Sequence, residues 1–284
     1  MKLKQQIAGV KRFIMRTFQI PLYYFHFLFP KTIVIDGGLG SQILGWIKYQ
    51  VALETNDKTE VRLDTTYFRQ REETDFSSLP TLFEWELHRY GIEIVENEDN
   101  RFSDFFKFSY NQQAKLDKKL FELMKTKNWS NHFPVSSETA ALKNRLGVVN
   151  DYCVIHLRRG DYLTVATRVI GVSEVLKLVC KIQHLIPLDI ILASDSVLES
   201  GDFEEVKSSL WQKNVQLLVG GEPHVVHGLM RESSLLITSN STFSLSAGLT
   251  MSRGGSVILP KDFHGPKRKR INANFDQLTD WSIL

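Results

Sequence analysis

Cysteine is nearly absent. Cys153 and Cys180 are the two thiols in 284 residues, too few to cross-link a chain of this length. Each sits in an apolar run, Tyr-Cys-Val-Ile and Leu-Val-Cys-Lys-Ile, of the kind that buries a reduced thiol, so a reducing compartment is expected. No Asp-X-Asp pair and no His or Cys cluster at ligand spacing occurs, which gives a divalent cation no evident site. Neither the Lys of a P-loop nor the glycine spacing of a dinucleotide fingerprint is present. Internal repeats are lacking, and a composition of 43% hydrophobic and 24% charged residues gives little support to disorder, collagen or coiled coil. The sequons at Asn128 and Asn240 lack a convincing secretory signal before them and are read as unmodified.

Acidic residues are missing from one place, residues 1–31, which carry six basic side chains. Residues 261–270 add a net +4. Against a total of +3, the rest of the chain is therefore acidic by seven charges. Like-charge blocks at chain ends mark an anionic partner or a solvated tail. The run from Phe13 to Phe29 is rich in aromatics, yet Arg16, Gln19, Pro21 and His26 interrupt it. A spanning helix needs about 20 mostly apolar residues, so no span is expected. Two readings of the segment stay open: rings and cations lying at an anionic membrane surface, or an aromatic arm packed on the fold.

The rest alternates strand and helix patterns. Thr32–Ile35 is a short apolar run that ends in a glycine turn, and helical spacing follows from Ser41 to Leu53. Val61–Leu63 reads as a strand, Leu82–Tyr90 as a short helix, Gly91–Val95 as an alternating strand, and Lys115–Lys127 and Glu138–Leu146 as helices. Beyond residue 150 the pattern sharpens. Strands are expected at Tyr152–His156, Leu188–Ala193, Val215–Val219, Leu235–Thr238 and Ser256–Leu259. Helices are expected at Val172–His184, Phe203–Leu210, His224–Glu232 and Thr242–Met251. Repeated βαβ units imply parallel sheets. The expected fold is α/β, with two Rossmann-like domains facing a cleft and ligands bound beyond the strand C-termini.

Three strand ends carry unusual residues. In Asp36-Gly37-Gly38-Leu39-Gly40-Ser41-Gln42, glycines permit close backbone approach and the following helix offers unpaired N–H groups to an anion. In His156-Leu157-Arg158-Arg159-Gly160-Asp161-Tyr162, alternation aims His156 and Arg158 to one side, and adjacent guanidiniums suit phosphate oxygens. Asp161 has three open roles: orienting an Arg, acting on an acceptor hydroxyl, or capping the turn. In Thr238-Ser239-Asn240-Ser241-Thr242-Phe243-Ser244, hydroxyl and amide groups crowd a helix start, as an N-cap or as donors to an anion. Asp195, in Ala193-Ser194-Asp195-Ser196, is placed to take a ribose or base edge.

Taken in this order, these motifs resemble glycosyltransferase family 11, the α-1,2-fucosyltransferases, from about residue 32 to 264. Leu82-Phe83-Glu84 and Leu229-Met230 add looser matches. The resemblance implies a two-domain GT-B enzyme, inverting and metal-independent, with no cofactor and GDP-β-L-fucose as donor. It divides the chain into a basic aromatic segment (1–31), an acceptor-side domain (32–148), a GDP-sugar domain (149–270) and a tail (271–284). It also implies that Arg158 and Arg159 hold the diphosphate, that His156 and Asp195 lie near the nucleoside, and that Gly38, Gly40, Ser41, Asn240, Ser241, Thr242 and Ser244 complete the donor site. Arg158 and Asp161 are the expected catalytic residues. A leaving diphosphate needs charge stabilisation more than a strong nucleophile. The proton of the acceptor hydroxyl goes to Asp161, to Asp36 or to the leaving phosphate.

The expected partners are GDP-fucose and an oligosaccharide or lipid-linked glycan of a bacterial surface polysaccharide, with no nucleic acid. The expected location is the bacterial cytoplasm, with peripheral contact at the inner membrane left open. Three positions depart from the family pattern: Ser41 where Asn is usual, Leu245-Ser246 where a Trp pair is usual, and Val226 where an acid is usual. They keep two alternatives alive, a different GDP-deoxyhexose donor and a sugar-nucleotide-binding scaffold without turnover.

Overall fold

A computed structural model of the chain describes residues 31–55, 61–65, 68, 83–94, 127–148, 150–160, 176, 179, 189–198, 201–210, 214–252 and 255–259. The basic aromatic segment up to residue 30, the helix expected at 115–127 except Lys127, most of the one expected at 172–184, Asp161, Cys180, the basic run 267–270 and the tail lie outside these residues.

The described chain is α/β with every strand pair parallel. The first unit pairs β1 (Lys31–Val34) with β2 (Val61–Asp64) and joins them through α1 (Leu39–Thr55). After α2 (Ser137–Arg145) come β3 (Tyr152–Leu157), β4 (Asp189–Ser194), α3 (Asp202–Ser209), β5 (Asn214–Val219), α4 (Pro223–Arg231), β6 (Leu235–Ile237), α5 (Thr242–Leu249) and β7 (Ser256–Ile258). These strands form one sheet in the order β5-β4-β3-β6-β7. Chain order reverses between β3 and β6, and a doubly wound sheet opens a crevice at the C-terminal ends of the strands flanking such a point.

Sheet burial follows from the residues. All six side chains of β3 are buried, as are five of β4, because layers cover both faces and the strands read as continuous apolar runs. Strand alternation sorts them. Cys153, Ile155 and Leu157 meet Leu176, Val179, Val206 and Leu210 on one face, while Tyr152 and Val154 meet Leu229, Met230 and Ala247 on the other. Helix α4 is the joint of the molecule, buried from His224 to Arg231. The Tyr152 hydroxyl donates to the Leu229 carbonyl at 2.8 Å. Arg231 donates to the carbonyls of Thr250, Phe133 and Ser130, which ties α4 to the loop after residue 127.

Helix α2 also packs on α4. Thr139 Oγ1 donates to the Val225 carbonyl and Lys143 pairs with Glu232 at 2.9 Å, so the partners of α2 belong to the larger sheet. Leu245 and Leu259 of that half share a core with Ile35, Ile43, Ile47 and Trp85. The two sheets are thus joined by apolar packing.

One stretch differs from expectation. Residues Phe83–Glu86 are irregular, a single 3-10 turn spans Leu87–Tyr90, and residues 91–94 make no strand. Gly91, at φ +71°, ends the turn in the left-handed region, and the Ile92 carbonyl accepts from the Trp85 indole at 2.9 Å instead of a neighbouring strand. The alternation of Ile92 and Ile94 is real, but it reports packing on the first core. No described helix is long and apolar enough to cross a membrane.

Candidate functional site

A cavity of about 400 Å³ lies where the C-terminal ends of both sheets meet. Volumes of roughly 300–1,000 Å³ are usual for small-ligand sites. From the first unit it is lined by Gly37 to Ser41, Phe83 and Glu86; from the larger sheet by His156, Arg158, the end of β4 through Asp195, Gly220 and Gly221, Pro223, Val226, and Ser241 to Phe243.

Three helices aim their N-terminal turns at this space: α1, α4 and α5. None carries an acidic residue in its first turn. At α1 and α5 the unpaired N–H groups of such turns act as a partial positive charge; α4 opens on Pro223, which has no N–H, and its Val225 and Val226 N–H groups donate to the Glu222 carbonyl. With Arg158 in the wall, the cavity is built for an anion.

The turns are set by local contacts. Gly37 stands at φ +72°, a backbone conformation that side chains resist. The buried Gln42 amide donates to the carbonyls of Gly37 and Glu84, at 2.9 and 2.7 Å, and its oxygen accepts from the Glu86 N–H at 2.9 Å. One side chain thereby fixes both the glycine turn and the 83–86 loop. A Cβ on Gly40 would lie 2.4 Å from the backbone of Phe243, so this glycine serves the contact of α1 with α5. Beside it, Ser41 Oγ and Thr242 Oγ1 share a 3.2 Å hydrogen bond between the two units. Ser241 caps α5, its Oγ accepting from the Phe243 N–H.

Asp195 holds the cationic wall. Its Oδ2 receives Arg158 Nη1 at 2.7 Å and its Oδ1 receives the Arg159 backbone N–H at 2.6 Å. Gly160 leaves room for this, since a Cβ there would come within 2.6 Å of Oδ2. Asp195, at the end of the neighbouring strand, is thus a partner of Arg158. His156 is buried against Ser239, with Oγ and Nδ1 2.8 Å apart. Burial, and next the Arg158 charge, push its pKa down to about 3, so the ring is neutral at physiological pH. Glu86 shifts the other way: burial raises its pKa, and the charges of Arg89 and His224 partly oppose that.

The structure gathers Gly38, Gly40, Ser41, His156, Arg158, Asp195, Ser241 and Thr242 around one space. Arg159, Asn240 and Ser244 are buried beside it without forming its wall; Ser244 donates to the Ser241 carbonyl within the first turn of α5. Asp36 is exposed and does not line the cavity. Sequence reading missed Phe83, Glu86, Gly220, Gly221, Pro223, Val226 and Phe243. The glycine pair directly after β5 was a readable signal, at φ +67° and +104°. Glu86 had none beyond the Leu-Phe-Glu match two residues before it. Among the described residues no three His, Cys, Asp or Glu side chains gather as a metal site.

No family model matches the chain, and no curated protein matches it significantly. Among solved structures, a crystal structure of POFUT1 in complex with GDP aligns with 71% of this chain at 12% identity and a TM-score of 0.34; the chain spans 64% of that one. A crystal structure of POFUT1 in complex with GDP-fucose aligns over 81% of this chain and 73% of its own, at 12% identity and 0.36. The structure of E. coli ADP-heptose LPS heptosyltransferase II aligns over 87% and 98%, at 12% and 0.38. Likeness at this level assigns no residue, and the chemistry has to be read from the cavity.

Two outcomes follow from the packing. Gly40→Ala forces backbone apart rather than a flexible side chain, and is expected to lower unfolding free energy by about 1–3 kcal/mol, read from urea midpoints. The second concerns acid. His156 and the buried His227, whose pKa burial holds well below the ordinary value, stay neutral when folded but take up protons when unfolded. Stability is therefore full above about pH 6.5 and falls as pH drops toward 3, by up to about 1.4 kcal/mol per pH unit for each ring. Urea midpoints from pH 7.5 to 5 should fall, and less steeply in His156→Asn.

Proposed function

We propose that this chain is an inverting glycosyltransferase that moves L-fucose from GDP-β-L-fucose to the 2-hydroxyl of a galactose-type acceptor, without a metal ion. The observation that carries the reading is the convergence of the N-termini of α1 and α5 and of Arg158 on one cavity at the sheet's reversal point. That arrangement suits a diphosphate. The motif resemblance to glycosyltransferase family 11 supplies the identity of sugar and nucleotide.

In this reading the diphosphate lies against the glycine turn, Ser241–Thr242 and Arg158. When the bond from the sugar's anomeric carbon to phosphate breaks, the electron pair leaves on a phosphate oxygen. Negative charge grows where the helix ends and Arg158 already point, so little reorganisation accompanies it. Asp195 keeps the Arg158 fork aimed. A neutral His156 gives or takes a hydrogen bond without adding charge. Residues 1–31 and 267–270 would hold the enzyme at the cytoplasmic face of a bacterial membrane while it acts on a glycan acceptor.

Another GDP-deoxyhexose is the second reading, favoured by one observation: of the positions that depart from the family pattern, Ser41 and Val226 lie in the cavity wall. A thermal-shift series of GDP-sugars separates the two, because stabilisation grows with the ratio of ligand to its dissociation constant. GDP-fucose should shift the melting temperature most.

Arg158→Ala is expected to lower kcat by about 10²–10³-fold with the melting temperature little changed, and a chelator should leave wild-type turnover as it was. Strict dependence on added Mg²⁺ would contradict the metal-free mechanism, and a scaffold without turnover would release no GDP at all.

A further inference from the structure

An inverting transfer must dispose of a proton. The acceptor oxygen attacks the anomeric carbon, the bond to phosphate breaks with its electron pair on the diphosphate, and the hydroxyl hydrogen needs a base. Of the described residues that line the cavity, two are carboxylates, Asp195 and Glu86. Asp195 is engaged twice, by Arg158 and by the Arg159 N–H. A proton taken there would cancel the charge that aims Arg158.

Glu86 lines the part of the wall given by the first unit. Its backbone is fixed by the Gln42 amide, yet among the described residues no hydrogen bond or ion pair holds its carboxylate. The groups around it come from two elements. His88 and Arg89 follow it in the 3-10 turn, and Glu222 and His224 face it from the start of α4. These neighbours have partners of their own: Arg89 meets Glu222 at 3.7 Å, and His224 Nε2 donates to Glu138 at 3.1 Å. Cation and anion near Glu86 are thus partly balanced, and burial is left as the main influence on its proton affinity.

We propose that Glu86 is the catalytic base, the group that receives the acceptor hydroxyl's proton as the new glycosidic bond forms. The assignment rests on the glycosyl-transfer reading above and adds the residue that reading leaves open. The division of labour is by residue: leaving-group charge is met by Arg158 and the helix ends, and the proton of the nucleophile by Glu86. A carboxylate whose pKa lies above the ordinary Glu value is a better base at neutral pH than an exposed one.

The test uses the full chain and E86Q, which keeps shape and loses basicity. GDP affinity by calorimetry should stay within about twofold of wild type, while kcat for transfer to a galactoside falls about 10²–10⁴-fold. Azide, a nucleophile with no proton to give up, should release GDP from GDP-fucose in E86Q at a rate well above that with the galactoside. In the wild type, kcat/KM should fall on acidification with an apparent pKa above the ordinary Glu value of about 4.3, a readout that needs no variant. The assignment is overturned if E86Q transfers within about fivefold of wild type, or if azide does not accelerate it. If wild type itself neither binds GDP nor transfers a sugar, the glycosyl-transfer reading fails and takes the assignment with it.

Discussion

The N-terminal turns of α1 and α5 touch backbone to backbone, and the cavity exists because of that contact. No side chain fits between Gly40 and Phe243 at the spacing seen, so the two helix starts are as close as chains can pack. The Ser41–Thr242 hydrogen bond sits beside the contact, and the shared core of Ile43, Ile47, Leu245 and Leu259 lies behind it. Two parallel sheets are thereby made to point their C-terminal ends at one space. Parallel topology puts a helix N-terminus after each strand. The junction therefore gathers partial positive charges from both units.

Such a gathering is unfavourable when empty, and the site moderates it. Asp195 answers Arg158 across neighbouring strand ends, and both side chains remain about a quarter exposed, so water shares in stabilising the pair and its net contribution to folding is small. His156 stays neutral under burial and the Arg158 charge. An arriving diphosphate would meet oriented donors with little to rearrange. Glu86 supplies a carboxylate to the same cavity, its backbone fixed by the Gln42 amide that also fixes the glycine turn.

Much of this was legible in the sequence. Apolar runs with helical spacing between them located β1 to β7 and α1 to α5 to within a few residues, since a sheet covered on both faces leaves a strong signal. The glycine turn, Arg158, and Ser241–Thr242 stood out because polar or glycine residues directly after a buried strand have few structural reasons to be there. The 83–94 stretch failed for a reason of context. Its order comes from the Gln42 amide and the Trp85 indole, partners that periodicity does not see, and so Glu86 went unnoticed. Gly40 lines the cavity and has a second use that sequence did not reveal, the contact of α1 with α5. Arg159, Asn240 and Ser244 carry the right chemistry for the site, yet they are buried beside it and do not line it.

The central claim is that the cavity recognises a diphosphate through helix ends and Arg158. Calorimetric titration of the wild-type protein with GDP, GMP and guanosine tests it most directly. The account predicts affinity that drops with each phosphate removed, with guanosine weakest by two orders of magnitude or more, about 2.7 kcal/mol. Equal affinity for GDP and guanosine, or no binding of either, would contradict it.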